Sequence, residues 1–195
     1  HPFKDPISNQ WYLFFARDFF DQRPGTALSA VQLGEDMLSV KGPIHTVLRA
    51  FADWQIYERN RPLYGKVWDV WHTVEGPAVI YRNRQYYCFY SGGNWQTPGY
   101  GVGCAISDRL TGPYHDSWSK RSASVLSTIP DKLIGPGHNS IILGPDGKTY
   151  FIVYHSWNPQ RTARQMCIDP IIWTQNGPKV YNPSRGAKTV RLPIK

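Results

Sequence analysis

The sequence predicts an all-β fold arranged as blades of a β-propeller, and three observations carry that prediction. Short apolar and aromatic runs bounded by Gly, Pro, Asn and Asp recur along the whole length, while helical punctuation is nearly absent. Aromatic residues are abundant, with 8 Trp, 12 Tyr and 8 Phe, which suits strands buried against neighbouring sheets. Three stretches share one layout: HPFKDPISNQWYLFF from His1, EGPAVIYRNRQYYCFYS from Glu75 and HNSIILGPDGKTYFIVYHS from His138. Units of this size cannot bury both sheet faces alone, and stacking copies side by side around an axis solves that problem.

Each copy holds a short run, a turn built on Asn or Asp-Gly (Ser8-Asn9, Asn83, Asp146-Gly147) and then an aromatic strand, the signature of a hairpin. Further strand candidates follow each hairpin: TALSAVQLG, GVGCAIS with SVLSTI, and QMCIDPIIW with KVYNP. The expectation is a single partial propeller domain over 1–195, with four-stranded blades at approximately 1–70, 71–130 and 131–195. The Gly and Pro residues are dispersed among apolar runs, which fits a loop-rich β architecture and not low complexity.

Composition removes several function classes. The net charge of +8 is scattered, with no block of five or six basic residues, so it reads as a solvated surface. No recognition helix, zinc-finger or RNA-motif signature accompanies it, and nucleic acid is not an expected partner. No apolar run approaches the ~18 residues of a membrane span. Cys88, Cys104 and Cys167 are an odd number inside strand-like runs, which predicts buried free thiols and leaves the compartment open. The chain starts at His1 without a signal segment, and the expectation is that a signal or more lies upstream.

Taking Tyr12, Tyr87 and Tyr150 as equivalent, the residue twelve positions earlier is Glu75 in the second copy and His138 in the third. In the first copy the count falls one position ahead of His1. The innermost strand of each blade faces the propeller axis, so Glu75 and His138 are expected to converge there. Strands disfavour Glu and burial penalises its charge, so Glu75 in VEGPAV requires either a function or an Arg partner on an edge strand. His138 is either a hydrogen-bonded core residue or a group that holds a metal or a water; one His alone makes no metal site. Among Asp5, Asp69, Asp116 and Asp169, Asp5-Pro6 reads as a loop entry and Asp169-Pro170 as a turn. None of the four is assigned a catalytic role.

In this order the stretches HPFKDPISNQWYLFFARDF, VEGPAVIYRNRQYYCFYSGGNW, YGVGCAISDRLTGPY, GPGHNSIILGPDGKTYFIVYHSW and RQMCIDPIIW resemble glycoside hydrolase family 43 over nearly the whole chain. The resemblance implies a five-bladed propeller, of which this chain carries about three blades, and an inverting glycosidase acting on arabinose- or xylose-containing plant polysaccharide. It makes Glu75, before Gly-Pro, the general acid. Inversion needs a second carboxylate roughly 6.5 to 9.5 Å away, and the family pattern puts both that base and a modulating Asp off this chain.

His138 matches the family's inner-strand His, a candidate substrate contact that stands beside a water or a structural calcium ion, held through water, at the propeller centre; no cofactor is required. Arg164 matches the Arg that reaches sugar hydroxyls, a surface Arg being the plainer alternative. Trp95, after a Gly-Gly loop, suits either stacking on a sugar ring or ordinary packing, and Trp157 and Tyr100 are weaker candidates of the same kind. The expected function is an α-L-arabinofuranosidase or β-xylosidase; the alternative is a catalytically inactive carbohydrate-binding propeller fragment. Three blades leave open sheet edges, so self-association or association with the missing blades is expected.

Overall fold

The computed structural model describes residues 1–183 and 186–187; the rest of the third expected blade lies outside them. Three sheets stand side by side. The first runs β1 (Pro2–Lys4), β2 (Trp11–Phe19), β3 (Gly25–Leu33) and β4 (Val40–Leu48), and β3 also touches a hairpin of β5 (Ile56–Leu63) and β6 (Lys66–His72). The second is β7 (Val74–Arg82), β8 (Gln85–Gly92) and β9 (Gly101–Ser107); the third is β10 (Ile134–Leu143), β11 (Tyr150–Trp157) and β12 (Arg164–Pro170). A short hairpin, β13 (Ile172–Thr174) with β14 (Gly177–Lys179), follows. The architecture is all-β and forms part of a propeller. In the second sheet the fourth strand position is taken by isolated bridges, Val102 to Leu126 and Ile106 to His115, because the SVLSTI run lies outside a regular ladder.

Strand β8 shows how the sheets cohere. Successive side chains point to opposite faces of a strand, so Tyr86, Cys88 and Tyr90 enter the core shared with Phe14, Leu28 and Val47 of the first sheet. Tyr87 and Phe89 enter the core shared with Ile152, Tyr154 and Cys167 of the third. An uninterrupted aromatic run thus serves two neighbours at once. All three cysteines are buried, and none is in a disulfide.

The hairpins confirm one repeat equivalence and shift another. Ile80 pairs with Tyr87 and Leu143 with Tyr150, so the second and third copies are in register. In the first sheet Lys4 pairs with Trp11, which puts Trp11 in the place of Tyr87 where the sequence suggested Tyr12. The turn chemistry differs: Asn83 and Arg84 adopt positive φ in a two-residue turn. The longer turn after Lys4 is instead organised by Asp5, whose Oδ2 accepts from Ser8 N (2.9 Å) and Ser8 Oγ (2.6 Å).

Asp169 and Pro170, read from sequence as a turn, lie inside β12. Asp169 is buried and accepts a hydrogen bond from Tyr154 on the neighbouring strand at 2.7 Å. Because β12 is an outer strand of its sheet, a proline without an N–H is tolerated at its end.

Candidate functional site

Glu75 sits near the start of β7, the inner strand of the second sheet, opposite Ser91. Gly76 adopts a φ of +57 and Pro77 donates no N–H, so the ladder slips between Glu75 and Ala78. This bulge turns the Glu75 side chain out of the regular pleat. The third sheet uses the same device: GPG precedes His138, Gly135 has a φ of +52 and His138 itself +50, and the register shifts on either side of Gly137. The two bulges meet, since a Cβ on Gly76 would lie 3.5 Å from His138 Cα. His138 donates its backbone N–H to Ser91 Oγ at 2.7 Å.

Behind Glu75 is a polar chain of contacts. Tyr100, only 1% exposed, donates its hydroxyl to Glu75 Oε1 at 2.8 Å. Burial, and then the Glu75 carboxylate beside it, hold the Tyr100 phenol well above its ordinary pKa, so it donates and does not ionise. Its ring stacks on His155 with centroids 5.8 Å apart and planes 9° from parallel. Burial, followed by the charges of Arg164 and His138, holds the His155 imidazole down to about 4. It is therefore neutral at ordinary pH, and Nε2 accepts from Arg164 Nη1 at 3.5 Å. Gly137 makes room for this arrangement, because a Cβ there would stand 2.0 Å from the Tyr100 ring.

Arg164 extends from the first position of β12 and lies 4.7 Å from the centroid of Trp95 and 5.9 Å from that of Trp157. The two indoles stack with centroids 6.0 Å apart, and Trp157 Nε1 donates to Trp95 O at 2.8 Å. Trp95 and Glu75 line one cavity of about 270 Å3, together with Asp18, Thr26, Tyr57, Arg61, Leu63, Tyr64, Trp71 and Thr73. Glu75, Trp95, Arg164 and His138 are thus gathered in one region. Tyr100 is the exception to the sequence reading: buried beneath Glu75, it is a hydrogen-bond donor to the acid and not a surface for sugar.

Two carboxylate groupings separate clearly. Asp5, Asp116 and Asp169 are buried acceptors of Tyr86, Tyr90 and Tyr154, and none lines the Glu75 cavity. Asp18 does line it, with Oδ2 accepting from Tyr64 at 2.5 Å. Sequence reasoning passed over Asp18, Tyr57 and Arg61; the only available signal was ARDF directly extending an aromatic strand. Among the described residues no three His, Cys, Asp or Glu side chains gather to hold an ion.

The model of the glycosyl hydrolases family 43 matches residues 2–178. The chain belongs to that family. A β-D-galactofuranosidase of Aspergillus niger is 33% identical over 150 residues, which are 75% of this chain and 36% of that protein. Among solved structures, a thermostable family-43 glycoside hydrolase superposes with a TM-score of 0.79 at 27% identity, covering 97% of this chain and 59% of that one. An α-L-arabinofuranosidase from Lactobacillus brevis shares the fold with a TM-score of 0.68 at 22% identity, covering 100% of this chain and 57% of its own. The family-43 chain therefore spans little more than half the length of these structures and about a third of the curated relative.

Proposed function

We propose that this family-43 chain supplies the general acid and part of the sugar-binding wall of a glycosidase acting on furanose- or pentose-containing polysaccharide. The observation that supports it is Glu75: a carboxyl on an inner-strand bulge, half-buried, held at one oxygen by Tyr100 and facing a cavity beside Trp95. An acid that protonates a leaving glycosidic oxygen needs that combination of fixed orientation and access. Arg164, seated against Trp95 and His155, is positioned to donate to sugar hydroxyls.

The substrate is argued from relatives that act on galactofuranosides and arabinofuranosides. On this reading the base and modulating carboxylates come from outside these 195 residues, since the described cavity brings only Asp18 beside Glu75. The test is hydrolysis by the protein that carries this chain, on aryl and natural glycosides, with wild type and Glu75→Gln. Turnover of the natural substrate should fall by about 10²- to 10⁴-fold, and by much less when the aryl leaving group needs no proton. Equal losses on both substrates would remove Glu75 from the acid role. Sugar binding with no turnover in any context would leave the binding-fragment alternative.

A further inference from the structure

Glu75 and Trp95 belong to two groups of residues. Trp95 is in contact with Arg164 and Trp157 of the third sheet, and Arg164 with His155. Glu75 and Trp95 together also line the 270 Å3 cavity, whose remaining lining comes from the β5–β6 hairpin, its approach to β7 and the first sheet. That hairpin leaves the blade: in the ladders it meets β3 only where Gly25 pairs with His72.

We infer that this cavity is the subsite for the sugar on the leaving-group side of Glu75, with Arg61 and Asp18 as the side chains that read its hydroxyls. The inference rests on the acid role proposed for Glu75. The oxygen that receives its proton belongs to the leaving sugar, and that sugar must therefore reach the same carboxyl. Arg164, positioned for sugar hydroxyls, sits against Trp95 and Trp157 and does not line this cavity, so the two sets of polar groups can hold different sugars.

The hairpin wall is rigid and pre-placed. Trp68, Trp71, Tyr64 and Phe20 form an aromatic cluster, with Phe20 and Tyr64 edge-on at 5.4 Å and the two indoles at 5.3 Å. Asn94 Nδ2 donates to Tyr57 O at 3.1 Å and Tyr57 donates its hydroxyl to Gln96 Oε1 at 3.2 Å, tying the hairpin to the loop that carries Trp95. A site organised before binding loses less ordering entropy on occupation.

Its polar groups are under-used. The Arg61 guanidinium lies 4.2 Å from the centroid of Tyr57, and among the described residues its ion pair is a long one, 3.8 Å to Glu58. Asp18 has one oxygen on Tyr64 and the other uncommitted among the described hydrogen bonds. A guanidinium donates and a carboxylate accepts, so the two can serve neighbouring hydroxyls of one ring, and their charges offset. The ligand this suits is a neutral furanosyl or pyranosyl unit of an oligosaccharide.

The experiment is a tryptophan-fluorescence titration of the protein that carries this chain, with Glu75→Gln as the parent so that no ligand is turned over, using arabinose and arabinotriose, and xylose and xylotriose. The parent should bind the trisaccharide more tightly than the monosaccharide. Arg61→Ala should weaken trisaccharide binding by about tenfold to a hundredfold and leave monosaccharide binding within about twofold. Arg61→Lys should fall between, and Asp18→Asn, read alongside a thermal melt, gives a second variant should Arg61→Ala fail to fold. Unchanged trisaccharide binding in both Arg61→Ala and Asp18→Asn overturns the inference while leaving Glu75 as acid. Equal weakening of both ligands also overturns it, since the cavity would then hold the reacting sugar. No binding of any of these sugars by the Glu75→Gln parent overturns the functional reading and the subsite with it.

Discussion

Four buried tyrosines that donate to carboxylates divide the molecule into two regions. Asp5, Asp116 and Asp169 accept from Tyr86, Tyr90 and Tyr154 in the cores, at 2.8, 2.8 and 2.7 Å, whereas Glu75 accepts from Tyr100 at 2.8 Å beside an open cavity. The bond lengths are the same and the roles differ. Asp5 and Asp116 spend their other acceptor capacity inside the protein, on Ile7 and Ser8 and on Trp118 and Ser119. Glu75 keeps part of its carboxyl facing the cavity. A buried tyrosine beside a carboxylate is therefore structural or functional according to what the second oxygen meets.

Removing the core donors should produce the largest effect on stability. Tyr86→Phe leaves one of the bonds to Asp5 unmade in a buried setting, and the melting curve should show a loss of about 1 to 3 kcal/mol with little change in sugar binding. Asp5 also carries a pH signature: burial opposes its ionisation, but the Ser8, Tyr86 and Ile7 hydrogen bonds outweigh burial and lower its pKa from 3.8. Its contribution is present above pH 3.8 and lost as pH falls through the lower native value. Tyr86→Phe should shrink that acid-limb loss.

Tyr100→Phe sharpens the comparison from the other side. It frees Glu75 from its positioning bond, and turnover of natural substrate should drop about tenfold while thermal stability changes less than for Tyr86→Phe. A result in which Tyr100→Phe melts the protein and leaves the kinetics of the surviving fraction unchanged would place Tyr100 with the core tyrosines.

The smallest expected effect is a pH dependence of stability at His155. Its native pKa of about 4 lies below the ordinary 6.5, so between those values the unfolded chain takes up a proton that the native chain refuses. Stability from this group is full above pH 6.5 and declines as pH falls towards 4. Thermal melts of His155→Gln should show a shallower decline over that window than wild type.

Local pattern by itself determined the all-β class, the hairpins, the burial of the β8 aromatics and the conspicuous position of Glu75 before Gly-Pro. These follow from alternation, turn chemistry and the penalty on a charge in a strand, all of which act over a few residues. Tertiary structure decided the rest. It placed Asp169 inside a strand by giving it Tyr154, moved the first-sheet register from Tyr12 to Trp11 through the Asp5 turn, and took Tyr100 from a sugar-contact candidate to the donor of Glu75. Asp18 had only its place in ARDF as a local signal and Arg61 had none, because each is an ordinary surface-type residue in its own strand. Only the folding of the β5–β6 hairpin across the end of β2 brings them to the cavity of a glutamate that follows later in the chain. Such partnerships depend on how the sheets and the hairpin pack, and no short stretch of sequence encodes that geometry.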